Sequence, residues 1–431
     1  MKINQMSVKN FRGFVERQFD FSDQFNVLIG DNGTGKTAVL DALNIAIGSL
    51  FLNFNEIRPR HILPEHVHLK KYELGGVPQA DRVYPVVVKC KGIVNAQEIS
   101  WERTLNSKGG RTTRIGAESI ASISKELQAN VDKDILFPVL GYYGTGRLWL
   151  QKNERTEKLA PPASRLKGYV DSLDSRSNEK MLLAWLYQRQ LSLANNKKKP
   201  NAQLDVVKQA VAECLGVGYS LEYDFDEKAL MIQTPTGQWL PYSYLSDGVH
   251  NMLGMVADIA YRAATLNPQL EQDAVKNTPG VILIDEIDLH LHPKWQRNVV
   301  DDLRRTFPQI QFFASTHSPF IIQSLRPGEL IVLDEKLAGE YVNKPIEDIT
   351  ENLMGVALPQ RSERYQRMYE AAKTYYEILQ NARGALPKEL DAAKRKLDEL
   401  TAPFSDNVAY HAFLEMERMA AGFGDSKHET R

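Results

Sequence analysis

The sequence predicts an α/β fold with a mostly parallel core sheet, an antiparallel β subdomain, a helical insertion and a C-terminal helical tail. Short apolar segments at 25–29, 281–285 and 311–314 have the length of buried strands, and apolar helical segments lie between them. Strands that are covered by helices on both faces are typical of a parallel sheet. Alternating segments at 83–91 and 98–105 indicate an antiparallel pair outside that sheet.

Composition limits the classes of function. The 431 residues include 53 basic and 54 acidic side chains, so the net charge of −1 does not indicate a nucleic-acid-binding protein, although a local basic patch can lie within a neutral total. Cys90 and Cys214 lie far apart and outside any metal-ligand spacing, which favours a reducing compartment without a disulfide. Because the sequence shows no signal peptide and no apolar run of membrane-spanning length, we expect a soluble, cytoplasmic protein.

The predicted elements fall into a first lobe at 1–150, a helical insertion at about 151–218, a second lobe at 219–335 and a helical region at 336–431. Alternation predicts strands, apolar residues at helical spacing predict helices, and clustered prolines and glycines predict irregular chain. The first lobe contains two strands within 1–30, a helix at 38–50, irregular chain at 51–80, strands at 83–91 and 98–105, a helix at 117–131 and a strand at 135–143.

The remaining elements continue the alternation. The insertion and the second lobe contain helices at 178–195 and 203–215, a hairpin at 220–234, a helix at 249–265, a strand at 281–285, a helix at 293–306 and a strand at 311–314. Two amphipathic helices at 362–383 and 387–400 then form the last region, which we expect to serve oligomerisation or partner docking.

The most specific motif is a phosphate loop, Gly30-Asp31-Asn32-Gly33-Thr34-Gly35-Lys36-Thr37, which lies between a predicted strand and a predicted helix. Backbone N–H groups of such a loop surround phosphates at the positive end of the helix, so the motif predicts ATP binding. The residues expected to contact the nucleotide are Gly30, Asn32, Gly33, Gly35, Lys36 and Thr37. Lys36 is expected to act on the β- and γ-phosphates, and Thr37 to ligate Mg²⁺.

A second motif is the apolar strand at 281–284 that ends in Asp285 and Glu286. Many buried strands end in an acid, but an acid pair behind a phosphate loop is the arrangement that hydrolysis needs. We expect Asp285 to hold Mg²⁺ directly or through water, and Glu286 to orient or deprotonate the attacking water.

Two further sites depend on their position in the chain. Ser246 and Gly248 lie at the start of the helix predicted at 249–265. The serine hydroxyl, the exposed glycine backbone and the positive end of the helix dipole there suit a second phosphate. The alternative is an ordinary helix cap. His317 follows the buried strand at 311–314, from which it can hydrogen-bond the γ-phosphate or the attacking water; a structural histidine is the alternative.

These motifs, together with the opening Asn10-Phe11-Arg12-Gly13-Phe14, resemble the ABC-type ATPase heads of SMC, RecF and OLD-like proteins over about 1–50 and 240–335. The resemblance implies that the phosphate loop is Walker A, that Asp285 and Glu286 are Walker B, and that His317 is the switch histidine. It also makes Ser246 to Gly248 the signature. Asp288 then falls at the start of the D-loop, and Arg12 falls where such heads place an arginine near nucleotide or DNA.

The sequence departs from that family in three places. The signature carries Asp247 in place of a glycine, Gln151 is a weak candidate for the Q-loop, and the insertion contains no coiled coil. A narrower resemblance, carried by 137–147 and by 285–293, is to the AAA-type PtuA family of Septu and retron-linked PtuAB antiphage systems, which implies an HNH nuclease partner. His290 and His292 suggest a metal site, but we favour packing and D-loop residues.

The resemblance implies a mechanism. A signature at a helix start does not reach the phosphate loop of its own chain in this fold, so the family arrangement is a head-to-tail dimer, possibly within a higher oligomer, that encloses two ATP molecules. We expect a slow ATPase that controls the nuclease, with DNA contacted through the complex. The alternatives are a RecF-like DNA-repair ATPase that clamps duplex DNA, a scaffold that binds ATP without hydrolysis, and a transporter ATPase.

Overall fold

The structure is a computed structural model. It describes residues 1–148, 165–175, 182, 185–191, 202–216, 218–227, 229–334, 341–356, 359–360 and 362–381, and scattered positions between 392 and 420. The chain divides into two compact units, Met1–Met354 and Gly355–Arg431. The sequence placed this boundary after residue 335, but Ile349 and Leu353 pack with Ile29 and Ile322, which adds 341–354 to the first unit.

Fourteen strands are found in the described part of the chain: β1 Lys2–Phe11, β2 Phe14–Asp20, β3 Phe25–Ile29, β4 Leu69–Leu74, β5 Val77–Arg82, β6 Val86–Val94, β7 Gln97–Leu105, β8 Val139–Tyr143, β9 Ser220–Asp224, β10 Ala229–Gln233, β11 Trp239–Pro241, β12 Gly280–Ile284, β13 Ile310–Ser315 and β14 Leu330–Val332. The helices whose two ends lie in the described ranges are α1 Lys36–Ile47, α2 Glu118–Ala129, α3 Ala202–Leu215, α4 Asp247–Leu266, α5 Ala274–Asn277, α6 Pro293–Gln296, α7 Val299–Thr306, α8 Pro319–Gln323, α9 Ile346–Asn352 and α10 Glu363–Asn381.

The core sheet has the order β14–β3–β13–β12–β8, and all its strand pairs are parallel. Its central strands β3, β12 and β13 are buried at every position, as their continuous apolar sequences require. Because the strands are parallel, the segments that follow β3, β12 and β13 emerge at one edge of the sheet. The predicted α/β fold class is therefore confirmed.

An antiparallel sheet with the order β2–β1–β6–β7 forms the β subdomain of the first lobe. Its two-residue alternation buries Val86, Val88 and Cys90 on one face of β6 and exposes Lys89 and Lys91 on the other. A buried glutamine side chain joins this sheet to the core sheet. Gln311 on β13 accepts a hydrogen bond from the Ile3 backbone at 2.7 Å and donates one to the Ile3 carbonyl at 2.8 Å.

Three local predictions differ from the structure. Residues 51–80 were expected to be irregular, but β4 and β5 form a hairpin whose twelve residues are all exposed, so no buried face marks it in the sequence. The strand expected at 135–143 begins only at Val139. The helix expected at 293–306 divides into α6 and α7, and Asn298 is the N-cap residue of the second helix without a capping side-chain hydrogen bond.

The second unit contains α10, which the sequence predicted at 362–383. The Tyr375 hydroxyl donates to the Leu414 carbonyl at 3.1 Å, which ties this helix to the C-terminal residues of the same unit. Most of the two predicted helices at 387–400 and 178–195 lies outside the described residues, as does Gln151. No helix in the described ranges combines the length and apolar character that a membrane crossing requires.

Candidate nucleotide-binding site

The phosphate loop leads from β3 into α1, and its glycines are required by local geometry. Gly33 and Gly35 have φ values of 87° and 105°, a region that favours glycine. A Cβ atom on Gly35 would lie 2.6 Å from Cζ of Phe14, and one on Gly30 would lie 2.6 Å from Oγ1 of Thr34. Residues with a side chain are thus excluded at Gly30 and Gly35. The backbone at the start of α1 therefore stays accessible, and its N–H groups and the helix dipole suit a phosphate.

Lys36 occupies the mouth of this loop. Its Nζ donates hydrogen bonds to the Gly30 carbonyl at 2.6 Å and to the Asp31 carbonyl at 3.1 Å, and the residue is only 8% exposed. Burial lowers the pKa of Lys36, while the nearby Asp285 and Glu286 carboxylates oppose that change. The acid pair therefore favours the charged ammonium that a triphosphate needs.

The acid pair lies directly beside the phosphate-loop helix. The Thr37 hydroxyl donates to Oδ2 of Asp285 at 3.0 Å, and the Ser315 hydroxyl donates to Oδ1 of the same carboxylate at 2.6 Å. The Ser315 oxygen also accepts the backbone N–H of Glu286 at 2.8 Å. A hydroxyl and a carboxylate in contact are the oxygen donors that Mg²⁺ prefers, so Thr37 and Asp285 fit the predicted metal site.

The segment 288–292, which we call the D-loop segment, is held by the residue that follows β13. Thr316 donates to Oδ1 of Asp288 at 2.6 Å, and both atoms lie in a part-buried environment. His317 is the next residue, half-buried, in the connection between β13 and α8. Because Ile284 and Ala314 are paired in the sheet, His317 emerges at the same edge as the acid pair. Sequence reasoning assigned no function to Ser315 or Thr316, although small hydroxyl residues just before the histidine were the available signal.

The predicted signature begins α4, as expected. Ser246 is the exposed N-cap residue and its side chain makes no capping hydrogen bond, so the hydroxyl is accessible from outside the chain. Gly248 is buried against the D-loop segment, and a Cβ atom there would lie 2.4 Å from the His290 carbonyl oxygen. The side chain of Asn251 reaches the Leu289 carbonyl at 3.5 Å. Gly248 thus has a packing role within its own chain.

Arg12 lies in the turn between β1 and β2, where its Nη2 approaches Oδ2 of Asp41 to 2.5 Å. Asp41 is on α1, one helical turn after Thr37, and Tyr142 donates to its other oxygen at 3.4 Å. Burial raises the pKa of Asp41 to about 6, with Arg12 opposing the rise and Asp285 adding to it. The structure therefore places Arg12 against the phosphate-loop helix.

The two histidines of the D-loop segment have local structural positions. His292 caps α6 by accepting the Lys294 N–H at 3.2 Å, and His290 has a positive φ of 60°. Within the described ranges, no group of three or more His, Cys, Asp or Glu side chains is arranged to hold a metal ion. Cys90 and Cys214 are buried free thiols.

Comparisons with known proteins agree with this site. Residues 5–216 match a family model described as "AAA domain", and residues 153–323 match one described as "AAA domain, putative AbiEii toxin, Type IV TA system". The first match contains the phosphate loop, and the second contains the acid pair and His317. These matches support nucleotide binding and ATPase activity.

Relatives align over most of the chain. The protein named "Retron Vc95 probable ATPase" of Vibrio cholerae serotype O1 biovar El Tor is 23% identical over 389 residues, which is 78% of this chain and 74% of that relative. The "Septu protein PtuA" of Bacillus thuringiensis is 24% identical over 401 residues, which is 87% of this chain and 88% of that relative. A solved structure of an SmcHead bound to the C-winged helix domain of ScpA aligns with a TM-score of 0.47 and 15% identity, covering 79% of this chain and 96% of that one.

Proposed function

We propose that this chain, a relative of the AAA-type ATPases of bacterial antiphage systems, is an ATP-binding and ATP-hydrolysing regulatory subunit that controls an associated HNH nuclease through nucleotide-dependent head-to-tail dimerisation. The observation that carries the hydrolytic part is the contact of Thr37 and Ser315 with the two oxygens of Asp285 at the phosphate loop. The relatives named as Septu PtuA and retron ATPase support the defence role.

Each residue of the site has a distinct task in this proposal. Thr37 and Asp285 would hold Mg²⁺, which supplies positive charge beside the terminal phosphate when bound. Lys36 neutralises charge on the phosphates, and Glu286 takes a proton from the attacking water. His317 donates a hydrogen bond to the γ-phosphate or to that water.

The dimer follows from the position of the signature. Ser246 is exposed and makes no capping bond in its own helix, so it is accessible to the nucleotide of a second copy. Asp288, at the start of the D-loop segment, would lie at the same interface. ATP between two copies then acts as a connector, and its hydrolysis releases them. The second unit, Gly355–Arg431, is the proposed docking region for oligomerisation or for the nuclease.

The first experiment changes Glu286→Gln and measures phosphate release and sedimentation with ATP and Mg²⁺. We expect phosphate release to fall at least about 100-fold and an ATP-dependent dimer to accumulate, because the nucleotide binds but is not cleaved. Glu98→Gln, an exposed acid on β7, is the matched control and should behave as wild type. Unchanged phosphate release by Glu286→Gln would favour the non-hydrolysing scaffold instead.

The nuclease part is tested separately by co-purification with an HNH protein encoded beside this chain's gene. We expect the complex to survive size-exclusion chromatography with the full chain and to be weakened when residues 355–431 are removed. Absence of association with the full chain, with and without ATP, would contradict the nuclease assignment while leaving the ATPase assignment intact.

A further inference from the structure

Two neighbouring loops of the β subdomain carry cations and no acids. Residues 57–64 and 103–117 contain no Asp or Glu, although the whole chain is balanced at a net charge of −1. The loops run side by side, because the Ile62 N–H donates to the Thr112 hydroxyl at 2.9 Å. Apart from Lys108, their basic residues form what we call the basic patch: Arg58, Arg60, His61, Arg103, Arg111 and Arg114.

Arg103 forms the floor of the basic patch. It is fully buried, and its guanidinium donates to the Thr113 carbonyl at 3.1 Å and to the Ser49 hydroxyl at 3.2 Å, with a third nitrogen 3.4 Å from Nδ1 of His61. The guanidinium of Arg114 donates to the Leu52 carbonyl at 3.0 Å. These neutral partners hold both guanidinium groups in place without cancelling their charge.

Four glutamates, Glu56, Glu65, Glu102 and Glu118, border the two loops, but among the described residues none of them forms an ion pair with the five arginines. The two glutamates that border the second loop are bonded to neutral groups of that loop: Glu102 accepts from the Thr104 hydroxyl, and Glu118 accepts from the Gly116 N–H. Burial, and secondarily Arg114, lowers the pKa of Arg103 to about 10. Burial and the same arginines lower the pKa of His61, which marks the region as electropositive.

The neighbouring sheet surface is different. Exposed lysines on its strands face acids across the antiparallel register, with Lys9 opposite Glu16 and Lys89 opposite Glu102. Such cross-strand pairs balance charge within the protein. The excess positive charge of the β subdomain is therefore concentrated in the basic patch rather than spread over the sheet.

We infer that the basic patch binds the phosphodiester backbone of a nucleic acid. Arginine forks match phosphate oxygens, and Arg58, Arg111 and Arg114 are exposed on two adjacent loops, which suits a row of phosphates better than one enclosed anion. This goes beyond the proposed function, in which DNA is contacted through the partner, because the surface belongs to this chain alone.

The basic patch also has a defined relation to the phosphate loop. The Cβ atom of Arg60 would lie 3.0 Å from a Cβ on Gly48, the residue that follows α1. Since α1 begins at Lys36 and rises about 1.5 Å per residue, the patch and the phosphate loop lie roughly 18 Å apart at opposite ends of one helix. Nucleic acid and nucleotide can therefore occupy this chain at the same time.

The test measures fluorescence anisotropy of the full chain without nucleotide, using a labelled 30-base-pair DNA duplex, single-stranded DNA and single-stranded RNA at several salt concentrations. The patch variant combines Arg58→Gln, Arg111→Gln and Arg114→Gln. We expect the affinity of this variant to fall at least about tenfold at moderate salt. The slope of log K against log salt concentration should become shallower by about 2 to 3, because each phosphate contact contributes about 0.9 to that slope. The three probes identify the type of nucleic acid that fits.

The matched control combines Lys9→Gln, Lys89→Gln and Lys91→Gln, which removes the same charge from the sheet surface. We expect this control to bind within about twofold of wild type. Equal weakening by both variants, or no binding of any of the three nucleic acids, would overturn the inference. So would patch-dependent binding to phosphatidylserine vesicles without nucleic-acid binding, since Leu63 and Ile115 are exposed nearby.

Two further variants keep the outcome interpretable. If the triple patch variant has a lowered Tm, the single change Arg111→Glu replaces it, because that exposed side chain has no hydrogen-bond partner among the described residues. Lys36→Ala should leave nucleic-acid binding unchanged while removing ATP binding. Failure of the nucleic-acid inference is thereby separated from failure of the proposed ATPase function.

Discussion

At the scale of single residues, the Ser315 hydroxyl organises the hydrolytic site without touching solvent. It donates to Asp285 and accepts the Glu286 N–H, so one oxygen sets the positions of both acids. For Ser315→Ala we expect hydrolysis to fall about 10- to 100-fold, the usual effect of removing a group that orients a metal ligand. ATP affinity should stay within about threefold, since the phosphate loop is unchanged, and this split is measured by steady-state hydrolysis and equilibrium binding.

Ser324→Ala is the control, because that hydroxyl donates to the Ile321 carbonyl and not to either acid. A Ser315→Ala variant that hydrolyses ATP at the wild-type rate would show that the acids hold their geometry unaided.

Asp41 gives a pH-dependent prediction. Its folded pKa of about 6 lies above the ordinary aspartate value of 3.8, so between these pH values the folded chain binds the proton more tightly than the unfolded chain, and stability falls as pH rises. At pH 7 the buried, ionised carboxylate therefore lowers the free energy of unfolding by about 2–3 kcal/mol, since one unit of pKa corresponds to 1.36 kcal/mol. Relative to wild type, Asp41→Asn should therefore become more stable by up to that amount between pH 4 and pH 7.

The measurement is chemical denaturation of both proteins at each pH. The difference in unfolding free energy between Asp41→Asn and wild type is the relevant quantity, since other groups titrate equally in both. A difference that is constant with pH would mean that Arg12 fully compensates the buried carboxylate.

At the scale of elements, the start of α4 rests on the D-loop segment. A methyl group at Gly248 would meet the His290 carbonyl oxygen at 2.4 Å, and the helical φ of Gly248 makes this contact the main obstacle to alanine. Gly248→Ala should displace the D-loop segment, reduce ATP-dependent dimerisation at least about tenfold, and leave ATP binding intact. Analytical ultracentrifugation with and without ATP measures the effect. Gly237→Ala strains a turn with a φ of 81° but makes no close contact, so it is the control for a loss of stability alone.

A buried ion pair joins α7 to the turn before β14. Arg304 donates to both oxygens of Glu329 at 2.8 Å, and the two residues are 7% and 6% exposed. Glu329→Gln leaves a buried guanidinium without its bidentate partner, which should cost about 3–5 kcal/mol. Glu222→Gln, which breaks the more exposed pair with Lys208, should cost less than about 1 kcal/mol in the same denaturation experiment.

Element prediction succeeded where burial leaves a pattern. The continuous apolar runs of β3, β12 and β13 and the alternation of β6 were visible in the sequence because each has a buried face. The hairpin β4–β5 was missed because it buries neither face, so its residues follow no hydrophobic period. The motif residues could be proposed from the sequence because their chemistry is specific, whereas Ser315 and Thr316 are common residues whose contacts depend on which carboxylates face them.

At the scale of the whole molecule, the proposed dimer predicts that two defective chains restore each other. Lys36→Ala removes the phosphate-loop cation, and Ser246→Arg blocks the signature, so each variant alone should be inactive. An equal mixture forms one half mixed dimers, each with one intact pocket of two, and should recover about a quarter of wild-type hydrolysis.

The mixture is measured by phosphate release after both proteins have been allowed to exchange subunits. Mixing Lys36→Ala with Glu286→Gln is the control, because both changes affect the same side of the pocket and each mixed dimer keeps no intact site. A Lys36→Ala and Ser246→Arg mixture that remains inactive would contradict the shared pocket.

The order of strands in the core sheet has a consequence for biosynthesis. Both neighbours of β3, namely β13 and β14, come from near the end of the first unit, so the strand that carries the phosphate loop has no sheet partner until residue 310 has been made. At about 5–20 residues per second, the ribosome takes roughly 15–60 s to cover that interval. During that interval we expect chaperones to bind the apolar Phe25–Ile29 segment. A prematurely terminated product that ends before β13 would keep this strand unpaired and prone to aggregation.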